Sequence, residues 1–521
     1  MPALIGDTDG VIELGRGTLT CEQIALIARS RKPVALAAGV EARLAAGHAA
    51  VLALAASGPV YGRSTGVGAL LRQSVQQPLD RQIHRSPHPL SNRPPGLPDR
   101  APGLPDRTPG EPAPSAAPCT DDESGPADPL LHSHATTAGL PLPSDQVRAM
   151  AAVRIEQIAT GRSGLGPATA TALVDALNAD RLPTVGRFHS LGTGDVAPLA
   201  RLGLGLPPGA LEPGDGLALM SSNALSIGRA ALCVVDLDTV LAAARVVTAL
   251  TFLARDGSPG ALHPLAAGPF PGPQWVAAEL RRLGAGSRPA ARLQDQYGLR
   301  TAPQTLGVAV DASSALRGVV TSLAAAGLEN PLVLIGPPAE VVHHGGFHAL
   351  HLTAALDGAA SGLARAAVGS VNRLALLTEP VLPPASRATV NGPTDPAGPV
   401  AAAVDLAPEP RLFLAGGPPA ASGIMVLEYT AGAALGAVRA AAVPAAGQTV
   451  EASRGVEQDS TYAPLAADQL VEAIVAARVL VAVELVAACG HCGSAGCSRR
   501  WRWTASGGRA PPCPAPRRTV T

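Results

Sequence analysis

From residue 215 to 488 the chain runs in long stretches of Ala, Leu and Val that break at Gly and Pro joints. Ala loses no side-chain entropy in a helix and Leu loses little, so such text favours long α-helices over strands. Aromatic residues make up only 2% of the sequence, so the core these helices form must be aliphatic. A mainly α protein follows, with a helical bundle core over 215–488. The 521 residues are enough for a large core in one domain or two.

The remaining text divides into four segments. Residues 1–74 open the chain. Within them, residues 18–57 read as two helices; Thr20 with Gln23 forms a capping box, and Pro33 ends the first helix. A glycine-rich turn, Gly58 to Gly68, follows. Residues 75–128 are rich in Pro, Arg, Asp and Ser, and Arg93-Pro94-Pro95-Gly96-Leu97-Pro98-Asp99 is nearly repeated from Arg100. Such copies cannot bury a core, so this segment reads as a disordered insert. Residues 129–214 resume helical text at Ser144, read as an N-cap, with Val147, Met150, Ala151, Ile155 and Ile158 on one face. Residues 489–521 lose the helical period and read as an irregular Cys-, Arg- and Pro-rich tail.

Charge and composition exclude several functions. The formal net charge is zero, and basic runs and stacking aromatics are scarce, which argues against nucleic acid. The most apolar long stretch, Leu470 to Ala488, is interrupted by Glu472, Arg478 and Glu484, so no membrane span is expected. The first residues carry Asp7, Asp9 and Glu13 and no basic region, unlike a signal peptide. Seven scattered cysteines form no disulfide framework, and a reducing cytoplasm is the default. Cys489, His491, Cys492 and Cys497 lack the second ligand pair of a zinc site, so no metal is expected.

The most informative segment runs Phe188-His189-Ser190-Leu191-Gly192-Thr193-Gly194-Asp195-Val196-Ala197-Pro198-Leu199-Ala200. On physical grounds it is a glycine-bracketed turn entering a helix, with Asp195 as N-cap and Pro198 in the first turn. Read alone, it is a capped helix start able to hold an anion.

This segment resembles the Gly-Ser-Val-Gly-Ala-Ser-Gly-Asp-Leu-Ala-Pro-Leu-Ala of the aromatic amino acid ammonia-lyases, the histidine, phenylalanine and tyrosine lyases. Further motifs follow in that family's order. Val60 to Gly68 is similar to its tyrosine loop, Leu131 to Ala135 to its Ser-His pair, and Asp215 to Asn223 to its Glu-Gly-Leu-Ala-Leu-Leu-Asn-Gly-Thr. Gln294 to Gln304 is similar to its Gln-Asp-Pro-Tyr-Ser-Leu-Arg-Cys-Gln-Pro-Gln. Glu329 to Leu332, His344 to His348 and Val456 to Asp459 complete the series.

The resemblance implies a fumarase/aspartase-like bundle with a smaller N-terminal α+β active-site region, and a homotetramer with sites shared among subunits. It also implies a methylidene-imidazolone-type group, built from Gly192-Thr193-Gly194, that captures the amino group of an amino acid. Tyr61 would be the base, with Tyr297 and Glu457 also at the reacting centre. Arg300 would grip the substrate carboxylate as a fork. Ser133, His134, Ser221, Asn223, Gln294, Gln304 and Phe347 would line the pocket, and Ser133, His134 and Glu457 lean towards histidine, giving urocanate.

Three departures sit at the chemistry. Thr193 stands for Ser, so dehydration would leave an ethylidene, bulkier and less electrophilic than a methylidene. Gly192 stands for Ala, which loosens a turn that must stay compressed. Ser221 stands for Asn, which removes an amide from the site. Two readings therefore stand side by side: an ammonia-lyase of weakened activity, or a lyase-fold protein that has become a binding or regulatory homologue.

Overall fold

The computed structural model describes residues 10–70, 129–212, 214–379, 412–415 and 421–494. The expected insert at 75–128 and the tail beyond 494 lie outside these residues.

Fourteen helices are described: α1 (Cys21–Arg29), α2 (Val40–Ser57), α3 (Pro129–His134), α4 (Ser144–Ile158), α5 (Pro167–Asn178), α6 (Val196–Leu204), α7 (Gly216–Met220), α8 (Ala224–Ala254), α9 (Pro271–Arg282), α10 (Tyr297–Arg300), α11 (Ala302–Ala325), α12 (Leu350–Thr378), α13 (Val426–Ala441) and α14 (Ala463–Ser494). Three two-stranded sheets sit among them. β1 (Ile12–Leu14) pairs in parallel with β2 (Val34–Leu36). β3 (Ala138–Pro141) pairs antiparallel with β4 (Gly186–Phe188), and β5 (Leu332–Leu334) with β6 (Glu340–Val342). The fold is the mainly α bundle with a small α+β region that the sequence implies.

The long helices α8, α11, α12 and α14 pack together as the bundle, with α4 and α1 against α8. One large, mostly aliphatic buried cluster runs from Leu14 through Ala488 and joins most of the N-terminal region to the bundle, and a smaller one unites Val51, Val60 and Val333. Inside the bundle Arg373 of α12 and Glu484 of α14 form a salt bridge with both side chains 1% exposed. Ser370 and Thr251 also donate to Glu484, at 2.6 and 2.9 Å, which joins α8, α12 and α14 around one charge.

Local chemistry accounts for most boundaries. The Thr20/Gln23 capping box forms as expected. Ser144 is the first helical residue of α4 rather than its cap, which is Pro143. The single apolar face expected of α4 is also too narrow. Every residue from Val147 to Ile158 is buried, and its charged members have internal partners: Arg148 on Leu177 O and Ile27 O, Arg154 on Glu329, Glu156 on Gly15 N and Gly17 N. The tail expected from 489 begins later, because α14 continues to Ser494. His491 there is fully buried, its Nδ1 3.1 Å from Leu377 O, which docks the end of α14 on α12.

Two helices, Val40–Ser57 and Ala302–Ala325, have the length and apolar composition of a membrane-crossing segment, contrary to the sequence expectation. Each buries one stripe against its neighbours: Val40, Leu44, Gly47 and Val51 in α2, and Leu306, Ala309, Ser313, Leu316, Val320 and Ala324 in α11.

Candidate functional site

The turn before α6 is built around two glycines with positive φ, Gly192 at 90° and Gly194 at 134°. Ser190 staples it. Its hydroxyl donates to Gly194 O at 2.8 Å and accepts from Gly192 N at 2.9 Å, drawing the two ends of the triplet together. Opposite lies the start of α14. Tyr462 N donates to Leu191 O at 2.9 Å, and Thr461 Oγ1 donates to Gly192 O at 2.9 Å.

This contact corrects the role expected of Gly192. A β-carbon there would lie 2.3 Å from Thr461 Oγ1, 2.8 Å from Tyr462 N and 3.1 Å from Ala463 N. Glycine is what lets the turn seat against the helix start. It permits the hold that the sequence argument had it weaken.

Asp195 is also placed differently from expectation. It precedes α6, but its side chain makes no cap there. The carboxylate is fully buried and accepts from Ser226 N at 2.7 Å and Ser226 Oγ at 3.1 Å in the first turn of α8. An anion at that N-terminus meets unpaired N–H groups and the positive helix end. Asp195 N donates to Ser222 O at 2.7 Å, so the triplet is fixed to the α7–α8 junction.

From that junction polar contacts lead outwards. Ser221 Oγ accepts from Asn330 N at 2.9 Å, and Asn330 Oδ1 accepts from His344 N at 3.1 Å. His343 meets the Tyr61 ring edge-on, with centroids 6.3 Å apart. Tyr61 Oη accepts from Gly68 N at 2.8 Å. Its loop is tied to α7 by a salt bridge between Arg63 and the buried Asp215. Burial pushes the Asp215 carboxyl up and Arg63 pulls it down, with burial the larger effect. Ala69 N donates to Ser453 Oγ at 3.1 Å, which brings the Tyr61 loop against the loop of Glu457. That loop closes by hydrogen bonds between Ala452 and Glu457.

Asn223 Nδ2 donates to Phe347 O at 2.6 Å, while its buried Oδ1 has no partner among the described residues. It borders a small cavity with Gln157, Ser222, Ile227 and Phe347. Ser133 and His134 end α3, which packs on α6 and α7. Ser133 Oγ and His134 Nδ1 lie 2.9 Å apart. The triplet, Tyr61, Ser221, Asn223, Phe347 and Glu457, with the Ser133–His134 pair alongside, thus belong to one end of the bundle.

The remaining expected residues do not. Arg300 stacks on the Tyr297 ring, 4.6 Å from its centroid, and Tyr297 is 65% exposed. Gln294 is exposed, and Gln304 is exposed with Nε2 on Ala266 O at 3.0 Å. Helix α10, which carries Tyr297 and Arg300, packs on α12 at Arg373, where a β-carbon on Gly298 would lie 3.1 Å from Arg373 N. Phe347 is at the other end of α12, roughly 35 Å away at about 1.5 Å per residue. The expected site residues thus fall into two groups at opposite ends of the bundle.

Sequence reasoning assigned no role to Ser190, Ser222, Thr461 or His189. His189 has both ring nitrogens enclosed and without a hydrogen-bond partner among the described residues. Among the described residues there is no cluster of three or more His, Cys, Asp or Glu side chains able to hold a metal.

A family model described as aromatic amino acid lyase matches residues 19–207, 203–393 and 404–494. The chain belongs to the aromatic amino acid lyase family. The histidine ammonia-lyase of Streptomyces coelicolor is 28% identical over 513 residues, covering 92% of this chain and 87% of that protein. That of Deinococcus radiodurans is 31% identical over 393 residues, covering 69% of this chain and 70% of that protein. The fold is similar to the histidine ammonia-lyase of Trypanosoma cruzi, with TM-score 0.70, 22% identity, and 93% and 85% of the two chains covered. It is also similar to the ergothionase of Treponema denticola, with TM-score 0.72, 19% identity, and 94% and 90% covered. The chain is thus a member of a family of carbon–nitrogen lyases.

Proposed function

We propose that this member eliminates ammonia from an aromatic or imidazole L-amino acid, with L-histidine, giving urocanate, the leading substrate. The observation that carries the reading is the clamped turn of Gly192-Thr193-Gly194. Ring closure joins Gly194 N to the carbonyl carbon of Gly192. Gly194 has no side chain to obstruct that approach, its N–H has no acceptor among the described residues, and Ser190 holds the two residues together. These residues fit an imidazolone-type group made from the backbone. Such a group supplies an electrophile for the substrate amine, which is otherwise a poor leaving group.

This chain's own residues supply the rest. Tyr61 is the proton acceptor at the substrate β-carbon, set on a loop anchored by Arg63 and Asp215. Arg300 binds the carboxylate, with Tyr297, Gln294 and Gln304 beside it. Ser133, His134 and Glu457 face an imidazole better than a phenyl ring, and the two histidine ammonia-lyase relatives argue the same way.

Because these two groups lie at opposite ends of the bundle, the reading includes a homotetramer in which one subunit's Arg300 serves another's Thr193. The outer face of α14 supports an assembly: Val475, Val479 and Val486 form a stripe at helical spacing and are 51%, 39% and 54% exposed.

Intact-mass measurement with an elimination assay tests the reading. The expected result is a chain lighter by two waters that releases ammonia from histidine. A chain of full mass that releases none from histidine, phenylalanine or tyrosine overturns it and favours a binding or regulatory homologue.

A further inference from the structure

We infer that Thr461 is a catalytic residue for the maturation of this chain: its hydroxyl is the oxyanion donor for backbone ring closure at Gly192. The inference rests on the proposed reading that Gly192-Thr193-Gly194 cyclises.

In ring closure the Gly194 nitrogen forms a bond to the Gly192 carbonyl carbon. The π pair of that carbonyl moves onto its oxygen. The oxygen then takes up two protons, one shed by the Gly194 nitrogen and one by the Thr193 nitrogen, and leaves as water as a C=N bond forms between the Gly192 carbonyl carbon and Thr193 N. Thr193 next loses its Cα hydrogen and its hydroxyl as a second water, and a C=C bond forms. No oxidant or reductant is needed. The first step places negative charge on Gly192 O. An amide nitrogen is a weak nucleophile, so this step needs a donor already aimed at that oxygen.

Thr461 meets the requirement. Its Oγ1 stands 2.9 Å from Gly192 O, in the range for an oxyanion donor. The hydroxyl is oriented, because Ala463 N donates to the same oxygen at 3.4 Å and leaves its proton for Gly192. Its backbone is fixed from α12, where Thr353 Oγ1 donates to Thr461 O at 2.8 Å. Both threonines are fully buried, so water does not compete. The residue also precedes α14, whose positive end favours developing negative charge. Gly192 is the counterpart of this arrangement, since a β-carbon there would stand 2.3 Å from the donor oxygen.

The test follows the mass of freshly folded full-length chain over time for the natural protein, Thr461→Ser and Thr461→Val, with thermal melting to confirm folding. Thr461→Ser keeps the hydroxyl and is expected to lose two waters at close to the natural rate. Thr461→Val keeps the shape and is expected to slow the loss by about 100-fold or more. Should Thr461→Val fail to fold, Thr461→Ala removes the hydroxyl without added bulk and carries the comparison. A valine or alanine variant that folds and loses both waters at the natural rate overturns the role of Thr461 and leaves the lyase reading standing. A natural chain that never loses water overturns the reading, and this role with it.

Discussion

Thr461 Oγ1 occupies the space that a side chain on Gly192 would need: a β-carbon there would come within 2.3 Å. Gly192 also sits at φ 90°, where any L side chain is strained. Gly192→Ala should therefore destabilise the fold by about 1–3 kcal/mol through strain and overpacking. Urea denaturation at neutral pH measures it. Restoring the family's Ala-Ser-Gly by changing both positions is expected to be worse than Thr193→Ser alone. Thr193→Ser removes only a methyl, and should speed the second water loss seen by mass. An unchanged denaturation midpoint for Gly192→Ala would show that the start of α14 yields easily.

The Arg373–Glu484 pair makes a second prediction. Both side chains are 1% exposed, and Ser370 and Thr251 complete the hydrogen bonding of the carboxylate. Removing one partner leaves an uncompensated buried charge, which typically costs about 3–5 kcal/mol. Glu484→Gln should lower stability on that scale. Replacing both residues by Leu or Met should cost less than either single change. A double-mutant cycle read by urea denaturation checks it, and additive single effects would refute the coupling.

Much of this arrangement is legible in the sequence, and the exceptions share a cause. The Ala- and Leu-rich text of α8, α11, α12 and α14, the Thr20 capping box and the glycine-bracketed turn are local signals, and among the described residues each appears where the residues put it. Thr461 is not legible, because its partner Gly192 lies 269 residues away and a threonine before an Ala-rich helix reads as an ordinary start. Asp195 reads as the cap of the helix that follows it, yet its carboxylate caps α8, since tertiary packing brings that helix end closer. Helix α4 carries polar residues that sequence assigns to solvent, but Arg154 and Gln157 are buried and hold the α7 junction and Glu329. The separation of Arg300 from Thr193 is equally invisible in motif order, which records sequence and not the length of α12.

His189 makes the acid side of the stability curve informative. Burial holds its imidazole below the usual histidine range, Asp195 pulling the other way and Arg229 adding to the depression. The unfolded chain takes up a proton at this residue near the ordinary value of about 6.5, whereas the folded chain does so only at lower pH. Unfolding therefore binds a proton in that window. The contribution is complete above about pH 6.5 and is lost as pH falls towards the folded value. His189→Gln should flatten the decline between about pH 6.5 and 5 while leaving the curve near pH 8 parallel to the natural one. Urea midpoints across that range measure it, and equal slopes for both proteins would show that other groups set the acid limit.

The last prediction concerns the two ends of α12. Arg300 lies by Arg373 and the triplet lies by Phe347, roughly 35 Å apart along a helix too rigid to fold back on itself. No rotamer of Arg300 spans that distance, so within one chain the carboxylate fork cannot serve the turn that captures the amine. If the proposed lyase works, each site takes Thr193 from one subunit and Arg300 from another. Thr193→Ala should be inactive and lack the two-water loss, whereas Arg300→Ala should show that loss but eliminate ammonia only slowly, with a much raised KM. Co-expressed, they should form mixed oligomers in which some sites unite an intact triplet with an intact Arg300, so elimination should return. Adding Val479→Glu to both chains places charge in the exposed stripe of α14 and should abolish the return together with the assembly, as read by light scattering. The Arg300→Ala chain keeps its two-water loss throughout, with or without Val479→Glu, which separates failed assembly from failed maturation. Activity in a monomeric fraction, or no recovery from mixed oligomers that demonstrably form, would refute the shared site.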